Sequence, residues 1–251
     1  IYVTSNWNPS PLESFDEMGF NDDDSDAARG FSSSRSFQKK VVHKPTLLVA
    51  IISNNRLKPL VRLCESLLMA DYTEASRFFT GKINLVFNLE AKSEKAIVDY
   101  ALEFQWPYGT KVLKRRLLKG GLIRAVTESW YPSSVAEYGL LLEDDLEVSP
   151  QYLNWINKVM TTYGENKLPS HMIGISLYSP KVTETTNPKQ PFDSGSLMME
   201  LVGDREHPYF MQTPCSWGAV YFPGAWRNFL LYMQLRLAHE NPRASRIENV
   251  L

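Results

Sequence analysis

The feature that most limits what this chain can fold into is an apolar strand that runs directly into three acids. Tyr138 to Leu142 is apolar, and Glu143, Asp144 and Asp145 follow without a break. Three adjacent carboxylates repel one another, and a divalent cation is the usual remedy. Hard oxygen ligands suit manganese or magnesium carrying a diphosphate. Ser149 then offers an N-cap and Pro150 a first-turn residue. Beyond them Tyr152, Trp155, Ile156, Val159, Met160 and Tyr163 recur at helical spacing, the mark of an inward face. The acids therefore lie at the exit of a buried strand, where α/β sheets place their ligand sites. An acidic run is otherwise a solvated loop or a charge bias at a helix start. Its fusion to a strand favours a metal or nucleotide site.

The surrounding pattern alternates strands with helices. Residues 46 to 52, TLLVAII, form a continuous apolar strand of the kind covered on both faces. Leu60, Leu63, Cys64, Leu67 and Leu68 trace one helix face after Pro59. INLVFNL, 83 to 89, is a second strand, and 93 to 104 is a helix with Ala96, Ile97, Tyr100, Ala101 and Phe104 inward. KVLKRRL, 111 to 117, is a short third strand, and Gly120 and Gly121 lead into a helix through Trp130. This order predicts an α/β fold with a doubly wound, mainly parallel sheet.

The later half reads differently. HMIGISLY, 171 to 178, PYFMQ, 208 to 212, and AVYF, 219 to 222, read as strands, the last two flanking a short loop. Residues 179 to 196 make a polar loop with three prolines, long enough to be a lid or binding loop. A final helix is expected from Pro223 to His239. Residues 1 to 44 are acidic, then serine-rich, then basic, and are expected to be disordered or stem-like. The folded domain is expected over 45 to 251.

Composition bounds the function classes. The chain has 251 residues, of which 43% are hydrophobic and 22% charged, enough for one large α/β domain or two small ones. A net charge of -1 argues against broad nucleic-acid binding and against a polybasic membrane surface. Cys64 and Cys215 do not make a disulfide scaffold, and Cys64 sits on an apolar stripe as a small core residue. No Cys/His pattern has zinc spacing. No apolar run approaches the ~18 residues of a membrane span, so any membrane anchor is expected outside this chain.

The stretch LLLEDDLEVSPQYLNWI, with the basic Gly-bearing segment before it and CSWGAVYFPGAWRNF at 215 to 229, resembles nucleotide-sugar glycosyltransferases of the GT-A fold. The acids look like the Glu-Asp-Asp version of the DxD motif, as in N-acetylglucosaminyltransferase I and its plant and fungal relatives. The resemblance covers roughly residues 45 to 239 and implies a GT-A-like, Rossmann-like sheet with a smaller acceptor-side sheet. It further implies a manganese or magnesium ion and a nucleoside diphosphate sugar as donor. The acceptor it implies is a glycan, protein or lipid hydroxyl, and the compartment is the Golgi or endoplasmic reticulum lumen.

Residue by residue, the resemblance gives Asp145 to the metal, Asp144 to the ribose and Glu143 to the base. It gives Ser53, Asn54 and Arg56 to the nucleotide, and Arg116, Lys119 and Gly121 to the segment that closes around uridine and phosphate. Trp217 is a candidate for the sugar or acceptor pocket. Arginine and lysine suit phosphate oxygens, and glycine allows close backbone approach. The general base of an inverting transfer has no assigned residue, because the chain stops where the resembling proteins carry it. Glu200, Asp204, Glu206 and Glu248 are the carboxylates at hand, and a retaining outcome is equally open. Two other classes compete. A nucleotidyltransferase would carry a glycine-rich loop after its first strand, which AIISNNRLKPL lacks. A non-catalytic, transferase-like fragment would bind nucleotide or a partner without turnover.

Overall fold

The computed structural model describes residues 44–167, 172–183, 186–211, 215 and 217–240. The elements are β1 (Thr46–Ser53), α1 (Leu57–Leu68), β2 (Ile83–Leu89), α2 (Lys95–Glu103), β3 (Lys111–Arg115), α3 (Gly121–Thr127), β4 (Glu137–Glu143), α4 (Tyr152–Lys167), β5 (Gly174–Ser176), α5 (Ser194–Val202), β6 (Ala219–Tyr221) and α6 (Pro223–Glu240). Apart from Lys44, the expected stem-like segment lies outside the described residues.

One six-stranded sheet has the order β3-β2-β1-β4-β6-β5. β1 pairs in parallel with β2 and β4, β2 pairs in parallel with β3, and β6 runs antiparallel to both β4 and β5. The chain thus winds outward from β1 through β2 to β3, then returns to place β4 on the other side of β1. That reversal opens a crevice at the carboxyl ends of β1 and β4. The expected doubly wound, mainly parallel α/β sheet is what the chain forms.

The central strands are covered on both faces, which explains the apolar runs of β1 and β4, while β2 is interrupted by Asn84 and Asn88. Leu47, Val49 and Ile51 of β1, Leu85 and Phe87 of β2, and Leu140 and Leu142 of β4 point into one core with α1, α2 and α4. Ala50, Val86 and Leu141 point the other way and pack with Trp130, Trp226 and Leu230. Leu60, Leu63, Cys64 and Leu67 are buried as the spacing predicts. Burial pushes the Cys64 thiol up to about 12. A thiol reagent is accordingly expected to modify Cys215 at most in the native protein. Two reactive thiols per chain without denaturant would mean that the inner face of α1 is open.

Several local expectations are corrected. Ala96 is exposed, and α2 buries Ile97 and Ala101 instead. The helix after Gly120 ends at Thr127 rather than at Trp130. α4 buries Leu153 together with Tyr152, Ile156, Val159 and Met160, whereas Trp155 remains 37% exposed. The side chain of Tyr163 lies outside the described residues. The described residues of PYFMQ form no strand, while AVY of β6 joins the main sheet beside β4. The 179–196 loop closes on itself through Thr183 N–H to Gln190 O and Phe192 N–H to Lys181 O, both 2.8 Å. Its end starts α5, where Asp193 Oδ1 caps the Ser196 N–H at 3.1 Å.

Candidate functional site

Parallel pairing sets Ile52 of β1 against Glu143 of β4, and the Asp144 N–H continues the ladder to Ile52 O at 3.1 Å. The acid triplet and the segment Ser53–Arg56 therefore leave neighbouring strands side by side. Asp144 is 1% exposed. Its Oδ2 accepts from the Ser53 hydroxyl at 2.7 Å and from the Asn54 N–H at 3.2 Å. Its Oδ1 lies 2.6 Å from Arg56 Nη2, an ion-pair contact without the direction of a good hydrogen bond. Arg56 Nη1 donates to Asp145 Oδ2 at 2.5 Å. One guanidinium thus bridges two of the three carboxylates. Burial works against the charge on Arg56, yet Asp144 and Asp145 together hold its pKa above the ordinary value.

Glu143 is half-buried, and its carboxylate has no ion pair or hydrogen bond among the described residues. Burial first, and the charge of Asp145 second, raise its pKa, while Arg56 opposes them.

α1 holds both the triplet and the turn that leads from it into α4. Arg56 precedes its first turn, Arg62 Nε lies 3.2 Å from Glu147 Oε1, and Ser66 Oγ accepts from the Val148 N–H at 3.0 Å. Just beyond α1, the Asp71 N–H donates to Pro150 O at 2.8 Å, and Asn154 Nδ2 donates to Asp71 Oδ2 at 3.0 Å.

A basic side lies across β1 at the end of β2. Asn88, Leu89, Lys114, Arg115, Arg116, Glu128 and Tyr131 line a cavity of about 280 Å³. Arg116 is committed to α3. Its Nη1 is 2.5 Å from Glu128 Oε2, and Nη2 donates to Arg124 O. Glu90, the first residue after β2, accepts from the Ala91 N–H at 2.8 Å and from the Gly120 N–H at 3.3 Å. The Ala91 N–H is the main cause of its lowered pKa, with Gly120, Gly121 and Arg116 adding to it against the effect of burial. Gly121 has φ +72 with nothing near an added Cβ, so backbone conformation, not space, calls for glycine there. Lys119 is exposed and lines neither this cavity nor the cleft on the far side of the triplet.

That far side is acidic and aromatic. A cleft of about 750 Å³ is lined by Glu143, Asp145 and Glu147, by Tyr152, Trp155, Tyr178 and Trp217, and by the residues between them. Trp217 is 51% exposed and meets Tyr178 edge to face, with centroids 4.5 Å apart.

Ser53, Asn54, Arg56, Glu143, Asp144 and Asp145 are therefore brought together as expected, and Trp217 stands over the same cleft. Arg116 and Gly121 gather separately around Glu90 and Glu128. Asp144, the expected ribose contact, lies beneath Arg56, so a hydroxyl reaches it only if the guanidinium moves. Sequence reasoning passed over Glu90, Tyr178 and the outward turn of Trp155. Glu90 carried a usable signal, since it is an acid at a strand exit, like the triplet. Among the described residues no three His, Cys, Asp or Glu side chains gather as a metal cage. Asp145 keeps Oδ1 without a hydrogen-bond partner among the described residues. One such carboxylate fits a cation that takes its other ligands from phosphate and water.

No helix among the described residues is long and apolar enough to cross a membrane. The chain belongs to the family of the SPBC1E8.03c C-terminal domain, whose model matches residues 58–242. No curated protein matches it. Among solved structures, S. aureus TarS 1-349 is similar at 11% identity and a TM-score of 0.37, over 47% of this chain and 33% of that one. The mannosyltransferase PcManGT from Pyrobaculum calidifontis, in complex with GDP-Man and Mn2+, is similar at 12% identity and a TM-score of 0.37, over 54% of this chain and 36% of that one. The chain thus spans about a third of the length of each.

Proposed function

We propose that this domain is a GT-A-type, metal-dependent glycosyltransferase that moves a sugar from a nucleoside diphosphate sugar to an acceptor hydroxyl. The observation that carries the proposal is the convergence of Arg56, Asp144 and Asp145 at the switch point between β1 and β4. Ser53 and Asn54 fix Asp144, and Asp144 in turn positions Arg56. Asp145 would hold manganese or magnesium, which supplies charge neutralisation to the departing diphosphate. Arg56, whose Nη2 and Nη1 face Asp144 and Asp145, would turn a remaining N–H to the phosphate oxygens. The cleft beyond Glu143 receives the sugar and acceptor.

The test is a thermal-shift screen of nucleoside diphosphates with and without manganese, on the wild type and on Asp145→Ala. A ligand at a hundred times its dissociation constant stabilises by about 2.7 kcal/mol. The expected result is a manganese-dependent shift with one nucleotide that disappears in Asp145→Ala. Asp145 is partly exposed, so the variant is expected to fold. An equal shift in the variant would reject the role of Asp145. No shift with any nucleotide would reject the donor site.

A further inference from the structure

We infer that the cleft beside the acid triplet is a glycan subsite that accepts an uncharged pyranose and turns away anionic sugars; this rests on the transferase function proposed above. Trp106, Trp130 and Trp226 of this chain are each 8% exposed or less, but Trp155 and Trp217 are left 37% and 51% exposed on one concave surface. Large aromatic rings held open to water in a cleft mark a binding surface rather than a core. The cleft, at about 750 Å³, falls within the ~300–1,000 Å³ of small-molecule sites. Neither indole N–H has a hydrogen-bond partner among the described residues, so both remain available as donors.

The chemistry of the walls matches a sugar ring. A pyranose presents an apolar C–H face and a rim of hydroxyls. Trp155, Tyr178 and Trp217 suit the face, while Glu143 and Glu147 accept from the rim. The described lining holds three carboxylates, from Glu143, Asp145 and Glu147, and no Lys, Arg or His. Arg56 and Arg62 reach Asp145 and Glu147 from α1 and its approach, but neither lines the cleft. Until a cation occupies Asp145, a carboxylate, sulfate or phosphate on the sugar would find carboxylates and no cationic donor on the described lining. Across β1 the balance reverses, because Lys114, Arg115 and Arg116 line the smaller cavity. The site is thus divided by charge, with its uncharged ligand confined to the aromatic side.

The experiment is saturation-transfer NMR on the full chain, with uncharged hexose and N-acetylhexosamine oligosaccharides and with the same glycans bearing sialic acid or sulfate. It is run without nucleotide and again with a saturating nucleoside diphosphate and manganese. Trp217→Ala and Glu147→Lys are the variants, both at positions more than half exposed, with folding checked by thermal melting. Uncharged glycans are expected to bind, their anionic forms about tenfold more weakly or not at all. Trp217→Ala should weaken the uncharged glycans by about tenfold. Glu147→Lys should narrow the gap between the two sets. Absence of uncharged binding above the Trp217→Ala background, or equal binding of the anionic forms, overturns the inference. If nucleotide binds in a manganese-dependent way but no glycan does, this subsite alone fails. If glycans bind as stated and no nucleotide does, the subsite stands and the transferase function fails.

Discussion

Gly139→Ala is expected to destabilise the domain by about 3 kcal/mol, seen as a lower urea midpoint at unchanged slope. Gly139 sits in β4, paired with Leu48 of β1 on one side and Tyr221 of β6 on the other. An added Cβ would lie 2.4 Å from both Cδ2 and Cε3 of Trp130, inside van der Waals contact. Trp130 has little freedom to retreat. It is fully buried, its Nε1 donates to Glu137 Oε1 at 2.8 Å, and its carbonyl accepts from Trp226 Nε1 at 2.9 Å. The ring of Trp226 also packs 5.7 Å away, centroid to centroid. The strand or the indole must therefore shift, and a strand shift carries the acid triplet with it. Adding Trp130→Leu should restore part of the lost stability, since the two sites share one contact. A neutral Gly139→Ala would show that the indole moves freely.

Asp144→Ala is expected to cost about 2–3 kcal/mol, which is large for a single polar side chain. The change strips the Ser53 hydroxyl and the Asn54 N–H of a shared acceptor and leaves Arg56 with one carboxylate partner. Arg56 is half exposed and can turn toward water, which keeps the loss below that of breaking a fully buried pair. Asp144→Asn retains the shape and an acceptor for Ser53 but removes the charge, so it should fall between wild type and Asp144→Ala. Chemical denaturation of the three proteins checks the order. A wild-type midpoint for Asp144→Ala would mean that the buried carboxylate does not organise the β1–β4 crevice.

The parts of this fold that were legible are those where one physical cause acts alone. β1, β2 and β4 are buried on both faces, so each is mostly apolar, with ends readable to within a residue. The acid triplet was legible because a strand exit is a fixed place in an α/β sheet. Long-range pairing was less so. PYFMQ carries Pro208 and Gln212 where AVYF is apolar throughout, and among the described residues only AVY finds β4 alongside. α5 lay partly inside a segment read as a loop, although Asp193 and Ser196 carry the spacing of a cap. Trp155 keeps helical spacing with its inward neighbours, yet it stands at the edge of that stripe and turns to the cleft. The bridge made by Arg56 depends on β1 and β4 being neighbours, a fact of topology that no short segment holds.

α1 gives the crevice a mechanical property. The same helix and its approach carry Arg56, Arg62 and Ser66, which grip Asp144 and Asp145, Glu147, and the Val148 backbone in turn. The helix is thus a brace laid along the strand-to-helix turn rather than a neighbour touching it at one point. Its inner face is locked into the core by Leu60, Leu63 and Leu67. Any tilt of the brace therefore moves the guanidinium and the floor of the cleft as one piece, so the spacing of charges at the crevice is preserved while its mouth changes width.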